Sequence, residues 1–169
     1  MAALNGSRCI LVDEVPGHAR RRGTMAINKT GKWWVGSQPQ DLKEYLEAFS
    51  ADGYAINEFR LAKCKCGGIE FSLWADDEEG TAKRVCSSCS EAHFICDSEE
   101  YYPDPQPEEW NCVECGSRLA NVGVGFSLYE DGEVRWLYLG ERCARCGVLG
   151  CSAEWKVAYE PSKQLIDQA

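Results

Sequence analysis

The sequence predicts an α+β protein, mostly β: a small N-terminal helix/strand element, then two tandem β-hairpin units rooted in cysteine pairs. Three observations lead there. Eight of the eleven cysteines fall into four close pairs, Cys64/Cys66, Cys86/Cys89, Cys112/Cys115 and Cys143/Cys146. The two stretches bracketed by those pairs run through the same order of features. Ahead of them, Leu42, Tyr45, Leu46 and Phe49 recur at the spacing of one helix face.

Residues 1–24 show no sustained periodicity and include Gly6, Pro16, Gly17 and the run Arg20-Arg21-Arg22. They read as a disordered leader, or as an extension upstream of a natural start at Met25, in preference to a basic arm for nucleic acid or an acidic partner. Cys9 falls in this leader and is expected to be unligated. The next element spans 25–63 and becomes organised at Ile27. Ser37 and Pro39 look like the cap and first turn of a helix, and Asp52-Gly53 like its stop. Residues 54–63 hold Ile56, Phe59 and Leu61 and read as a strand running into Cys64. Trp33-Trp34 reads as a staple of helix onto sheet rather than a ligand platform.

Two units follow, at 64–96 and 112–160. The first opens with Cys64-Lys65-Cys66-Gly67-Gly68 and continues to Phe71-Ser72-Leu73-Trp74. An acidic turn ending at Gly80 comes next, then a strand, then Cys86-Ser87-Ser88-Cys89. The second opens with Cys112-Val113-Glu114-Cys115-Gly116 and reaches Phe126-Ser127-Leu128-Tyr129. It turns at Asp131-Gly132 and ends in Cys143-Ala144-Arg145-Cys146-Gly147. The shared order is a duplication signal. Ile69, Phe71 and Leu73 alternate with polar residues as a half-buried strand requires, and Asp131-Gly132 is a tight-turn dipeptide. Hairpins this small cannot bury enough apolar area to stand alone. Val122-Gly123-Val124-Gly125 reads as a strand kink rather than a cofactor loop.

Paired thiols at such spacing converge on one tetrahedral metal ion, so four pairs make two four-sulfur sites with zinc as the usual occupant. Iron fits the same spacing. The expected ligands are Cys64, Cys66, Cys86 and Cys89, and Cys112, Cys115, Cys143 and Cys146. Nineteen residues separate Cys66 from Cys86, twenty-two separate Cys89 from Cys112 and twenty-seven separate Cys115 from Cys143. Spacing thus also admits a middle pairing or an interleaved cross-brace; the duplication favours grouping within each copy. Gly67, Gly116 and Gly147 are expected to turn backbone amides toward the sulfurs. His93, Cys96 and Cys151 lie just beyond the pairs and read as packing residues, with ligation as the alternative.

Residues 64–89 and 112–146 resemble the zinc-ribbon family, in which two cysteine knuckles at the base of a β-hairpin clamp one zinc. The second unit matches the C-x-x-C…C-x-x-C pattern, whereas the first departs from it with C-x-C at Cys64/Cys66. The resemblance implies two structural zinc ions and leaves the task open, because the family serves transcription, translation, electron transfer and adaptor roles.

Between the units, 97–111 forms an acidic Pro-rich linker. Residues 97–109 carry six acids, no bases, Tyr101-Tyr102 and prolines at 103, 105 and 107. Prolines at every second position enforce an extended, stiff path and exclude helix. The linker reads as a rigid spacer, with a docking strip for a basic partner as the alternative. Residues 152–159 read as a strand returning onto the second unit, and 161–169 as a tail.

Charge is uneven. Residues 1–63 carry nine Lys/Arg and seven Asp/Glu; residues 64–169 carry nine and twenty. Zinc tetrathiolates would add to that negative charge, so a phosphate backbone would be repelled. No secretory signal is evident, which points to the cytoplasm and to reduced, metal-binding thiols. No His-Glu-x-x-His, Gly-x-Ser-x-Gly or phosphate loop is present, and a saturated four-sulfur site has no open position for substrate. The expected function is therefore a non-enzymatic, acidic protein-interaction module, an adaptor or an inhibitor of the immunity or antitoxin type, with a protein partner of basic character. Two alternatives stand beside it: a zinc-ribbon nucleic-acid binder, and a thiol redox switch at Cys64, Cys66, Cys86 and Cys89. The order of those four resembles the zinc centre of the redox-regulated heat-shock chaperone.

Overall fold

The computed structural model describes residues 27–104, 106–158 and 160–169. The expected leader at 1–24, with Cys9 and Met25, lies outside the described residues. The elements are α1 (Asp41–Phe49), β1 (Glu58–Leu61), β2 (Phe71–Asp76), β3 (Thr81–Cys86), β4 (Ala92–Phe94), α2 (Ser98–Tyr101), β5 (Ala120–Leu128), β6 (Val134–Cys143), β7 (Leu149–Lys156) and a 3₁₀ turn (Lys163–Gln168). The fold class is the expected one, mostly β with a small helix ahead of the strands. All seven strands join one antiparallel sheet in the order β4-β3-β2-β5-β6-β7, with β1 also on β5.

The helix starts later than its sequence punctuation suggested. Ser37 is not its cap: the N-cap is Gln40, with no side-chain cap bond. The carboxylate of Asp41 instead reaches back to accept the Ser37 amide at 2.7 Å and the Gln38 amide at 3.1 Å, so an acid in the first turn satisfies donors in the segment leading into the helix. Leu42, Tyr45 and Leu46 are buried as the periodicity required. Trp34 staples the helix as expected, meeting Tyr45 edge-on at 5.7 Å.

The two hairpins share a sheet through a narrow junction. Strand β2 meets β5 at one residue pair, Phe71 with Ala120, and β1 takes the same edge of β5 from Gly123 to Phe126. The tip of the first hairpin reaches β7, where Asp77 Oδ1 accepts the Glu154 amide at 2.8 Å. Phe71, Leu73 and Ala82 of the first hairpin thereby pack against Val122, Val124, Phe126, Leu137 and Trp155. The opposite face of β5–β7 receives the helix.

Glycines permit that second packing. The stretch at 122–125 is not a kink, because its pairing with β6 is unbroken until a shift between Ser127 and Leu128. A Cβ on Gly123 would lie 2.8 Å from the Phe59 ring, one on Gly125 3.0 Å from Ile56, and one on Gly140 2.9 Å from Leu46. The missing side chains make room on the sheet for the Phe59 ring, for Ile56 and for Leu46 of α1.

Residues 97–111 also depart from expectation. Ser98–Tyr101 forms one helical turn ahead of the prolines, which oppose helix only where they stand. The segment beyond is docked on the first hairpin and ends alongside β2, where Glu109 bridges to Trp74. Trp110 donates its amide to Leu73 O at 2.8 Å, Tyr102 packs edge-on against Phe94, and Lys83 lies between the rings of Trp74 and Tyr102 while holding Gln106. The last residues are docked too: Leu165 is buried, and Ser162 and Lys163 donate amides to the Glu133 carboxylate.

Replacing Gly123 with alanine forces a methyl group into the Phe59 ring. The expected cost is about 1–3 kcal/mol, the usual range for overpacking. A thermal unfolding midpoint equal to that of the parent would contradict this account of the glycines.

Candidate metal centres

Each pair of cysteines sits on a turn whose backbone closes on itself. In the first, Gly67 returns its amide to Cys64 O, and Cys64 donates to Gly68 O, both at 2.8 Å. In the third, Gly116 donates to Cys112 O and Cys112 to Ser117 O; in the fourth, Gly147 donates to Cys143 O and Cys143 to Val148 O. All three glycines have positive φ, between 68° and 91°, which is why glycine stands there. The second turn fills the equivalent position with Ser90, at φ 62°, whose amide returns to Cys86 O. Contrary to expectation, the amides of Gly67, Gly116 and Gly147 go to carbonyl oxygens, and the sulfurs receive those of other turn residues: Gly68 on Cys66 Sγ at 3.4 Å and Cys146 on Cys143 Sγ at 3.5 Å.

These turns bring eight sulfurs into two groups. Cys64, Cys66, Cys86 and Cys89 form one, Cys112, Cys115, Cys143 and Cys146 the other, with all ligand atoms of a group within 4.8 Å of one another. Grouping follows the two copies, and neither the middle pairing nor the cross-brace occurs. The Sγ atoms of Cys64 and Cys89 are 3.5 Å apart and those of Cys66 and Cys86 3.6 Å. In the second group, Cys112–Cys146 and Cys115–Cys143 are both 3.5 Å. A tetrahedron with metal–sulfur bonds of about 2.3 Å has edges of about 3.8 Å. The donor sets therefore fit one tetrahedral ion each, and each group could hold a metal ion. His93, Cys96 and Cys151 stand in neither: His93 Nε2 contacts Gln168 O, Cys96 Sγ contacts Leu165 O, and Cys151 is buried with its Sγ against Ala153 O.

The surroundings differ. Val148 is buried beside the second group, and the partly buried Trp33, Val35 and Trp110 pack around it. Residues near the N-terminus of the described chain cover its last turn, with Val35 bridged to Val148 and Gly36 donating to Gly147 O at 2.9 Å. Beside the first group, Cys66 and everything from Ser87 to Ser90 are exposed. Its inner side rests instead on Arg84, a buried guanidinium over the Phe71 ring that donates to Ala169 O at 3.0 Å. Burial pulls the Arg84 pKa down, and the sulfurs of Cys64 and Cys86 oppose that.

Backbone amides prepare one thiolate per group. The Ser88 amide, with that of Cys89, draws Cys86 down to about 6 from an ordinary value of 9.0. Burial works against Cys143, yet the amides of Cys146 and Arg145 bring it down to about 7. Cys89 is pushed the other way, to about 12: the Glu91 amide favours its thiolate, but the sulfurs of Cys64 and Cys66 crowd it. Such a set holds one charge readily and the remainder only against a cation. Near the second group, Glu141 is wholly buried, and burial raises its carboxyl to about 7 despite bonds from Ser152 and Trp110.

No family model, curated protein or solved structure matches this chain. The reading of the site therefore rests on its own geometry. Gly68, Ser90, Arg84 and the rings of Trp33 and Trp110 were not singled out as site residues from the sequence. A glycine doublet after the first pair was the available signal for Gly68.

Two outcomes follow from this geometry. A Cβ on Gly68 would lie 2.8 Å from Cys86 Sγ and 3.4 Å from Cys66 Sγ, so Gly68→Ala loses one bound ion per chain and keeps the other. Elemental analysis checks this, and full loading of the variant would contradict it. Thiolates with lowered pKa favour the folded turns fully above pH 9, and that contribution fades as pH falls through 7 to 6. Protons also compete with any ion for sulfur. Chelator titrations should show weaker metal affinity at pH 6 than at pH 8; equal affinity at both would count against the assignment.

Proposed function

We propose that each group holds one structural zinc ion and that the chain is a non-enzymatic, acidic protein-interaction module for a basic partner in the cytoplasm. Within that class it is an adaptor or an inhibitor of the immunity or antitoxin type. The observation that carries the reading is the completeness of both donor sets. Four sulfurs at near-tetrahedral spacing fill every position of the ion and leave none for a substrate. Zinc suits an all-thiolate tetrahedral site and carries no redox chemistry of its own. Its binding to such sites is worth on the order of 10–16 kcal/mol, ample for hairpins of six to ten residues per strand. When bound it would be held by Cys64, Cys66, Cys86 and Cys89 and by the other four, and it would cross-link the two ends of each hairpin.

Charge supports the partner's character. The chain carries 27 acidic residues against 18 basic ones, and two loaded tetrathiolate sites would deepen the imbalance. Such a surface attracts a basic protein and repels nucleic acid. Affinity purification from the native cell, with mass spectrometry of the retained proteins, tests this. The expected result is one stoichiometric partner of high isoelectric point, retained at about 0.1 M salt and released near 1 M, where the screening length falls to about 3 Å. Tight, salt-dependent binding of DNA or RNA by residues 25–169 would replace this reading with the nucleic-acid one.

A further inference from the structure

The two sulfur groups differ in what a reagent in solution can reach. In the second group, Cys112 and Cys143 are buried, Cys115 and Cys146 are half-covered, and Trp33, Val35, Trp110 and Val148 close round them. In the first, Cys64 and Cys86 are buried while Cys66 and Cys89 are exposed. Each exposed sulfur has a buried one as a close neighbour, Cys89 with Cys64 at 3.5 Å and Cys66 with Cys86 at 3.6 Å. An accessible thiolate next to a second thiolate is the arrangement in which oxidation ends in a disulfide rather than in higher acids.

We propose that Cys66 and Cys89 form a modification site for hydroperoxides, so that oxidation empties the first metal site and spares the second. The proposal rests on the reading that both groups hold metal. Two steps balance it. The exposed thiolate sulfur attacks the peroxide: an S–O bond forms, the O–O bond breaks, and the departing oxygen takes a proton and leaves as water or alcohol. The neighbouring thiolate then attacks the sulfenic sulfur: an S–S bond forms, the S–O bond breaks, and hydroxide leaves and is protonated. Two thiolates have lost two electrons, which the peroxide has gained. With two of four ligands consumed, the first site no longer holds its ion.

Hydrogen peroxide, added below one equivalent to the full reduced chain carrying two zinc ions by elemental analysis, tests this. A chromogenic zinc indicator reads release, and alkylation with peptide mapping reads the linkage. The first ion should leave about tenfold faster than the second or more, with disulfides Cys64–Cys89 or Cys66–Cys86 and with Cys112, Cys115, Cys143 and Cys146 still alkylated. A thiol reductant with added zinc should restore the starting state. Release of both ions at one rate, release from the second group first, or disulfides within that group would overturn the inference and leave the metal reading standing. A chain that purifies without zinc would overturn both.

Discussion

Closure of sulfur on sulfur at the base of each hairpin is the constraint on which the rest of the molecule depends. The strands β2 and β3 bring Phe71 opposite Cys86, and β5 and β6 bring Ala120 opposite Cys143. In both hairpins the ladder therefore runs up to the cysteine turns, and the ion that would bind there lies at the end of it. Thiolates packed at about 3.5 Å repel one another in the absence of a cation. A divalent ion converts that repulsion into a cross-link, and the amides already aimed at Cys86 and Cys143 ready one charge for it. The two turns of each group are separated by a whole hairpin, so the cross-link also fixes strand register.

The same sheet carries two different kinds of support. On one face the first hairpin folds over β5–β7 and fills the core with Phe71, Leu73, Phe126 and Leu137. On the other, α1 and the strap at residues 27–36 rest on glycine-lined strands and reach the second sulfur group through Val35 and Gly36. The second group thus belongs to the interior of the molecule, and the first to its rim. Arg84 connects that rim to the last residue of the chain, so the C-terminal 3₁₀ turn and the first group share a buried cation. Acids also serve the fold: Glu141 is buried near the second group, and Asp41, Asp77 and Glu133 accept backbone amides that tie neighbouring segments together.

Much of this was legible in the residues, and the reasons for the rest are physical. Cysteine spacing is short-range and stereochemically narrow, so the eight ligands could be read directly; it left their partition open, and the duplicated order of features favoured the grouping that occurs. The helix face of Leu42, Tyr45 and Leu46 was equally plain, because periodicity reports burial. What failed depended on contacts between distant segments. Nothing local in Val122-Gly123-Val124-Gly125 tells that Phe59 and Ile56 need the space above it. The prolines at 103 and 107 signalled extension correctly, but the docking of Tyr102 and Trp110 onto the first hairpin is a tertiary choice. Ser37 is not the cap because the helix begins only at Asp41, whose carboxylate reaches back four residues to the Ser37 amide. The exposure of Cys66 and Cys89 against the cover over the second group arises from the strap and Trp110, which no spacing rule encodes.

Native mass spectrometry of the reduced chain, paired with near-ultraviolet circular dichroism, tests the central claim most directly. The account predicts a chain mass increased by two zinc ions, one per sulfur group. It also predicts that stripping them with a chelator abolishes the aromatic signal and that returning two equivalents restores it. A chain of bare polypeptide mass whose aromatic signal is native-like, and does not change on adding or removing metal, would contradict it.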